Sequence, residues 1–116
     1  MTRSRYARRL MIIVDEDAAF RHRPVYTEIV RRAHDAGLAG ASVFRGIEGF
    51  GASRRVHTSR ILDLAENLPA MIVIIDTADN IDRFLPQLTE LEVRGVVALD
   101  DVELVQPGTV PEAAPS

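Results

Sequence analysis

The sequence predicts an α+β domain of ferredoxin-like β-α-β-β-α-β topology, and three observations carry that expectation. Two runs of apolar β-formers stand out, Leu10-Met11-Ile12-Ile13-Val14 and Met71-Ile72-Val73-Ile74-Ile75. Two amphipathic stripes at helical spacing are each followed by a glycine. These segments and two weaker strand signals alternate as strand, helix, strand, strand, helix, strand. The first and third strands of that topology are central, and here they are the most continuously apolar.

The first strand is expected over residues 9–15, after a flexible N-terminus of residues 1–8 that holds Arg3, Arg5 and Arg8. Arginines before an apolar run resemble a signal peptide. The run is only five residues and ends at Asp15, too short for a secretory core or a membrane span. Pro24 suits a first helical position, and the stripe Val25, Ile29, Val30 and Ala33 predicts a helix that stops at Gly37, with Leu38 as the hydrophobic partner of a left-handed cap. A second strand covers 41–47 around Val43 and Phe44. Residues 59–68 fit two patterns: Ile61, Leu62, Leu64, Ala65 and Leu68 suit a helix, whereas Leu62 and Leu64 also alternate, and an extended segment is the expectation. Pro69 leads into the third strand. Thr77 or Asp79 caps a second helix with the stripe Ile81, Phe84, Leu85, Leu88 and Leu91, ending at Gly95; Pro86 inside it should kink it or be tolerated. Residues 96–105 supply the fourth strand. The tail, 106–116, has Pro107, Gly108, Pro111 and Pro115 and little to bury, so it is expected to be disordered.

At 116 residues the chain makes one domain, expected over 9–105. It has no cysteine, which excludes disulfides and thiolate metal sites and makes the cytoplasm the expected compartment. A net charge of -3 argues against a sequence-independent nucleic-acid binder. An RNA-stacking platform is also missing: the six aromatics are Tyr6, Phe20, Tyr26, Phe44, Phe50 and Phe84.

Two helices cover one face of a four-stranded sheet, yet the central strands are apolar on both faces. Leu10, Ile12 and Val14 point away from Met11 and Ile13, as Met71, Val73 and Ile75 do from Ile72 and Ile74. Four or five uncovered side chains at about 1.5 to 3 kcal/mol each leave on the order of 10 kcal/mol of burial unclaimed in a monomer. A patch of that kind marks an interface, so a homo-oligomer with ligand clefts between subunits is expected.

The candidate ligand site is the run Arg45-Gly46-Ile47-Glu48-Gly49-Phe50-Gly51-Ala52-Ser53 with Arg54, Arg55 and His57 behind it. Glycines permit hinges or close backbone approach, and guanidiniums fork onto phosphate or carboxylate. The same glycines also suit a bulge at a strand end. His22, His34 and His57 lack metal-ligand spacing, so no metal site is expected. Asp15, Glu16 and Asp17 close a strand near His22 and read as strand-end charges. No nucleophile and base stand together, so no catalytic residues are assigned and an enzyme is not expected.

The chain resembles the PII signal-transduction superfamily, and more closely the PII-like proteins grouped as domain of unknown function 190. The matching segments are Arg23-Pro24-Val25-Tyr26, Ala36-Gly37-Leu38-Ala39-Gly40-Ala41, Arg45 to Gly51, and Asn67-Leu68-Pro69. The resemblance implies a homotrimer of ferredoxin-like subunits with a mobile T-loop, here about residues 51–60. It implies an adenine nucleotide as the candidate ligand, held between subunits at Gly49, Phe50 and Gly51. In PII proteins arginine and glutamine follow; Ala52 and Ser53 stand here instead. The basic turn before the last strand is reduced to Arg94-Gly95. No tyrosine lies between Gly46 and Pro69, so tyrosine nucleotidylylation is unavailable. The resemblance also implies a signalling role through a partner protein, with a membrane channel or transporter as the candidate. The alternatives are a metal-tolerance protein like the copper-tolerance trimers of this architecture, and a small enzyme.

Overall fold

A computed structural model describes residues 5–51, 54–58 and 68–105. Of the extended segment expected over 59–68, residues 59–67 lie outside the described residues, and so does the tail over 106–116. Strand β1 spans Tyr6–Asp15 and is followed by a small hairpin, β2 (Ala19–Phe20) and β3 (Arg23–Pro24). Helix α1 is Val25–Asp35. Then come β4 (Ser42–Arg45), the short pair β5 (Glu48–Gly49) and β6 (His57–Thr58), β7 (Pro69–Asp76), helix α2 (Ala78–Glu90) and β8 (Val96–Glu103).

The main sheet has the order β4-β7-β1-β8 with every neighbour antiparallel. The two apolar runs are therefore central, as predicted, because only a central strand is flanked on both edges by ladder partners. Leu10, Ile12, Val14, Ala70, Ile72 and Ile74 are buried with Val25, Ile29 and Ala33 of α1 and Ile81, Phe84 and Leu88 of α2. On the other side of the same strands Met11, Ile13, Met71, Val73 and Ile75 are only half-buried. The register aligns them: Met11 pairs with Val73 and Ile13 with Met71, while Phe44, 53% exposed, pairs with Met71 from the opposite edge.

The strand expected over 41–47 is shorter, Ser42–Arg45, and the one expected over 96–105 stops at Glu103; three larger departures have physical causes. The stretch expected to be a flexible N-terminus, 1–8, becomes strand from Tyr6 onward, because its arginines meet carboxylates of β8. Arg8 lies opposite Asp101 and donates to it at 3.3 Å, Arg9 forks onto Asp100 at 3.0 and 2.7 Å, and Arg5 pairs with Glu103 at 3.1 Å. The hairpin β2–β3 was not anticipated; its turn residues Arg21 and His22 both have positive φ, 52° and 70°, with no glycine to signal it. Helix α2 ends at Glu90, before Gly95. Glu92 takes the left-handed position at φ 56°, and Val93 and Glu92 return N–H bonds to Leu88 and Thr89.

Gly95 has a different task. A Cβ there would stand 2.0 Å from the Ile13 carbonyl oxygen, so glycine is required for β8 to begin its run beside β1. The end of α1 follows prediction: Leu38 and Gly37 donate to Ala33 and His34 at 3.1 Å each, the Schellman pattern. Thr77 caps α2, its hydroxyl accepting the Asn80 N–H at 3.1 Å, and the helix continues through Pro86.

Candidate functional site

The ladder registers decide which residues share an end of the sheet. Asp15 faces Pro69, Arg45 faces Ala70, and Ile13 faces Val96. The glycine run after Arg45, the Glu16 turn and the Arg94-Gly95 turn therefore gather at one end. The glycine run and the Arg94-Gly95 turn occupy opposite edges there, since β4 and β8 are the two outer strands, with the Glu16 turn between them. Three inter-strand steps separate them, about 14 Å at the usual sheet spacing.

Gly46 and Gly49 have a structural reason to be glycine. A Cβ on Gly46 would approach the Pro69 ring to 2.6 Å, and one on Gly49 would approach it to 3.1 Å. The Gly46 N–H donates to the Pro69 carbonyl at 2.7 Å, so the outgoing chain lies flat on the proline that begins β7. Gly51 differs: a Cβ there would meet nothing within 4 Å. Close packing thus accounts for two of the three glycines.

The short ladder pairs Glu48 with Thr58 and Gly49 with His57, bringing the His57 backbone beside the glycines. Arg54 adopts φ 64°, donates its N–H to the Gly51 carbonyl at 2.9 Å, and lays its guanidinium 5.3 Å from the centre of the Phe50 ring. Ile47, Phe50 and Val56 are 75, 59 and 62% exposed. Basic and exposed apolar side chains thus alternate along this stretch. Ser53 lies outside the described residues.

Arg45 forms a forked pair with Glu16, Nε to Oε1 at 2.7 Å and the terminal nitrogen to Oε2 at 3.0 Å. Oε2 also accepts the Leu68 N–H at 3.3 Å. The Arg45 hydrogen bonds hold the Glu16 carboxyl below its ordinary range; partial burial opposes the shift and the Leu68 N–H adds to it. Glu16 and Pro69 are the site residues that sequence reasoning missed. An acidic residue just past a central strand was visible, but only the strand order brings it to Arg45.

The DUF190 family model, described as Uncharacterized ACR, matches residues 7–104. A UPF0166 protein of Aquifex aeolicus is 35% identical over 96 residues, covering 83% of this chain and 90% of that protein. Among solved structures, CPII of Thiomonas intermedia, a nitrogen regulatory PII-like protein seen with ADP and bicarbonate, superposes with a TM-score of 0.65 at 16% identity, over 88% of this chain and 91% of that one. CutA of Synechococcus elongatus gives a TM-score of 0.56 at 12% identity, over 88% of this chain and 80% of that one.

Proposed function

The chain belongs to the DUF190 family and has a PII-like fold, and from that premise we propose that it is a regulatory binding protein, a homotrimer that takes a small anionic ligand in the clefts between subunits. An adenine nucleotide is the favoured ligand. The observation that carries this is the placement of the candidate groups: Arg45 and the Gly46–Gly51 run lie on one edge of the sheet, and Arg94 lies on the other edge at the same end. One chain leaves them apart. Copies arranged edge to edge, with their open apolar faces turned inward, bring the Arg45 edge of one against the Arg94 edge of the next.

The guanidiniums of Arg54 and Arg55 supply donors for phosphate oxygens, and the glycines let the ligand approach the backbone closely. The ADP and bicarbonate held by CPII support an anion-binding role on this fold. Occupancy changes the loop from Gly51 onward, and the loop acts on a partner protein, with a membrane channel or transporter as the candidate; the chain works by binding rather than turnover. None of the helices among the described residues is long and apolar enough to cross a membrane.

Calorimetry of the oligomer with ATP, ADP, AMP and cyclic AMP, alongside sedimentation, tests the proposal. Expected are a trimer mass and saturable heat from at least one nucleotide, lost in Arg94→Ala. No heat from any of the four removes the nucleotide, and a monomer at micromolar concentration removes the cleft. The metal-tolerance alternative draws on the CutA likeness, and elemental analysis of the tag-free protein separates it. Among the described residues no three His, Cys, Asp or Glu side chains gather to hold a metal ion.

A further inference from the structure

The two ends of the glycine loop, Arg45-Gly46 where it leaves β4 and Leu68-Pro69 where it returns to β7, converge on one side chain. Glu16 lies just past the C-terminal end of β1, and its side chain is 19% exposed. Its carboxylate takes the Arg45 fork with both oxygens and the Leu68 N–H with Oε2, while its own N–H donates to the Leu68 carbonyl at 2.9 Å. Leu68 is fully buried, and Gly46 is bonded to Pro69 next door.

We propose that Glu16 is the positioning residue of the loop: a single carboxylate clasps both feet, fixing their separation and the direction in which Arg45 presents its guanidinium. That these feet serve a ligand rests on the function proposed above; the clasp itself does not. A glutamate is chemically suited to it. Two acceptor oxygens satisfy a guanidinium fork and an amide together, a glutamine has one acceptor oxygen, and an aspartate is one methylene too short for the same reach. Arg45 is the charged partner and Leu68 the neutral one, so the two feet respond separately to substitution.

Amide hydrogen exchange measured by NMR on the ligand-free full chain tests this. In Glu16→Ala the Gly46 and Leu68 amides exchange faster by about ten-fold or more, while Ile12 and Ile72 in the central strands keep their wild-type rates. Glu16→Gln, of equal volume, falls between the two and guards against a fold that fails outright. The double exchange Glu16→Arg with Arg45→Glu restores Gly46 but leaves Leu68 fast, since arginine has no acceptor for an amide. Wild-type rates at both feet in Glu16→Ala overturn the proposal. So does a uniform acceleration that includes Ile12 and Ile72, which makes Glu16 a general stabiliser. Because no nucleotide enters the readout, failure of the clasp and failure of nucleotide binding are told apart.

Discussion

The two faces of the main sheet are built from alternate residues of the same strands, yet they end in different states. Along β1, Leu10, Ile12 and Val14 are sealed beneath α1 and α2, while Met11 and Ile13, one residue away, stay half-buried. Strand β7 repeats the contrast with Ile72 and Ile74 against Met71, Val73 and Ile75. Both faces carry residues of the same chemical kind, so the difference lies in what covers them. The helix face is completed by the chain itself. Among the described residues the open face has the composition of a core but only part of its burial, which the proposed assembly would complete.

Substitutions on the two faces should separate folding from assembly. The largest effect on the single-chain fold is expected from Ile12→Ala: removing buried methylenes under both helices should cost about 2 to 5 kcal/mol in urea denaturation, whatever the protein concentration. A cost below 1 kcal/mol there would mean the helix face is less tightly packed than its burial indicates.

Next in size is Asp76→Ala, on the helix side at the far end of β7. Its carboxylate accepts from the Ala39 N–H at 2.8 Å, the Thr77 N–H at 2.6 Å and the Asn80 amide at 2.9 Å. Partial burial pushes this carboxyl up, but those donors outweigh it and hold it below the ordinary range. A lowered folded value contributes stability that is full above the unfolded value, near 3.9, and is lost as pH falls through the folded one. Losing the acceptor should cost about 1 to 3 kcal/mol at neutral pH and flatten the acid limb of a stability–pH curve. An unchanged acid limb would move that role to another carboxylate.

Val73→Arg, at the centre of the open face, should change the fold of one chain by less than about 1 kcal/mol but lower the sedimenting mass and abolish any rise of Tm with protein concentration. Retention of a full oligomer would place the interface elsewhere. The smallest effect belongs to Asp100→Asn, which breaks the fork to Arg9 at the margin of the open face. Arg9 holds the Asp100 carboxyl below its ordinary range. The expected outcome is a slight, salt-dependent loss in Tm, because both groups reach solvent.

Much of the local architecture was legible. Periodicity located both helices and the central strands, Gly37 and Leu38 announced the first helix end, and the run Arg45 to Gly51 marked the loop. What escaped notice depended on partners distant in the chain. Arginines at residues 5 and 8 look like a charged tail until Glu103 and Asp101 arrive beside them. Arg21 and His22 turn a hairpin without the glycine that would advertise it, and Glu92 takes a cap usually left to glycine, which freed Gly95 for its close contact with Ile13.

By itself, then, the amino-acid order determined the alternation of elements, the doubly apolar central strands and the place of the glycine loop, because hydrophobic period and backbone permissiveness are properties of neighbouring residues. Tertiary structure alone decided that Glu16 would meet Arg45 and Leu68 and that Pro69 would demand glycine at 46. Those outcomes follow from strand order and register, which bring together residues dozens of positions apart and cannot be read from local spacing.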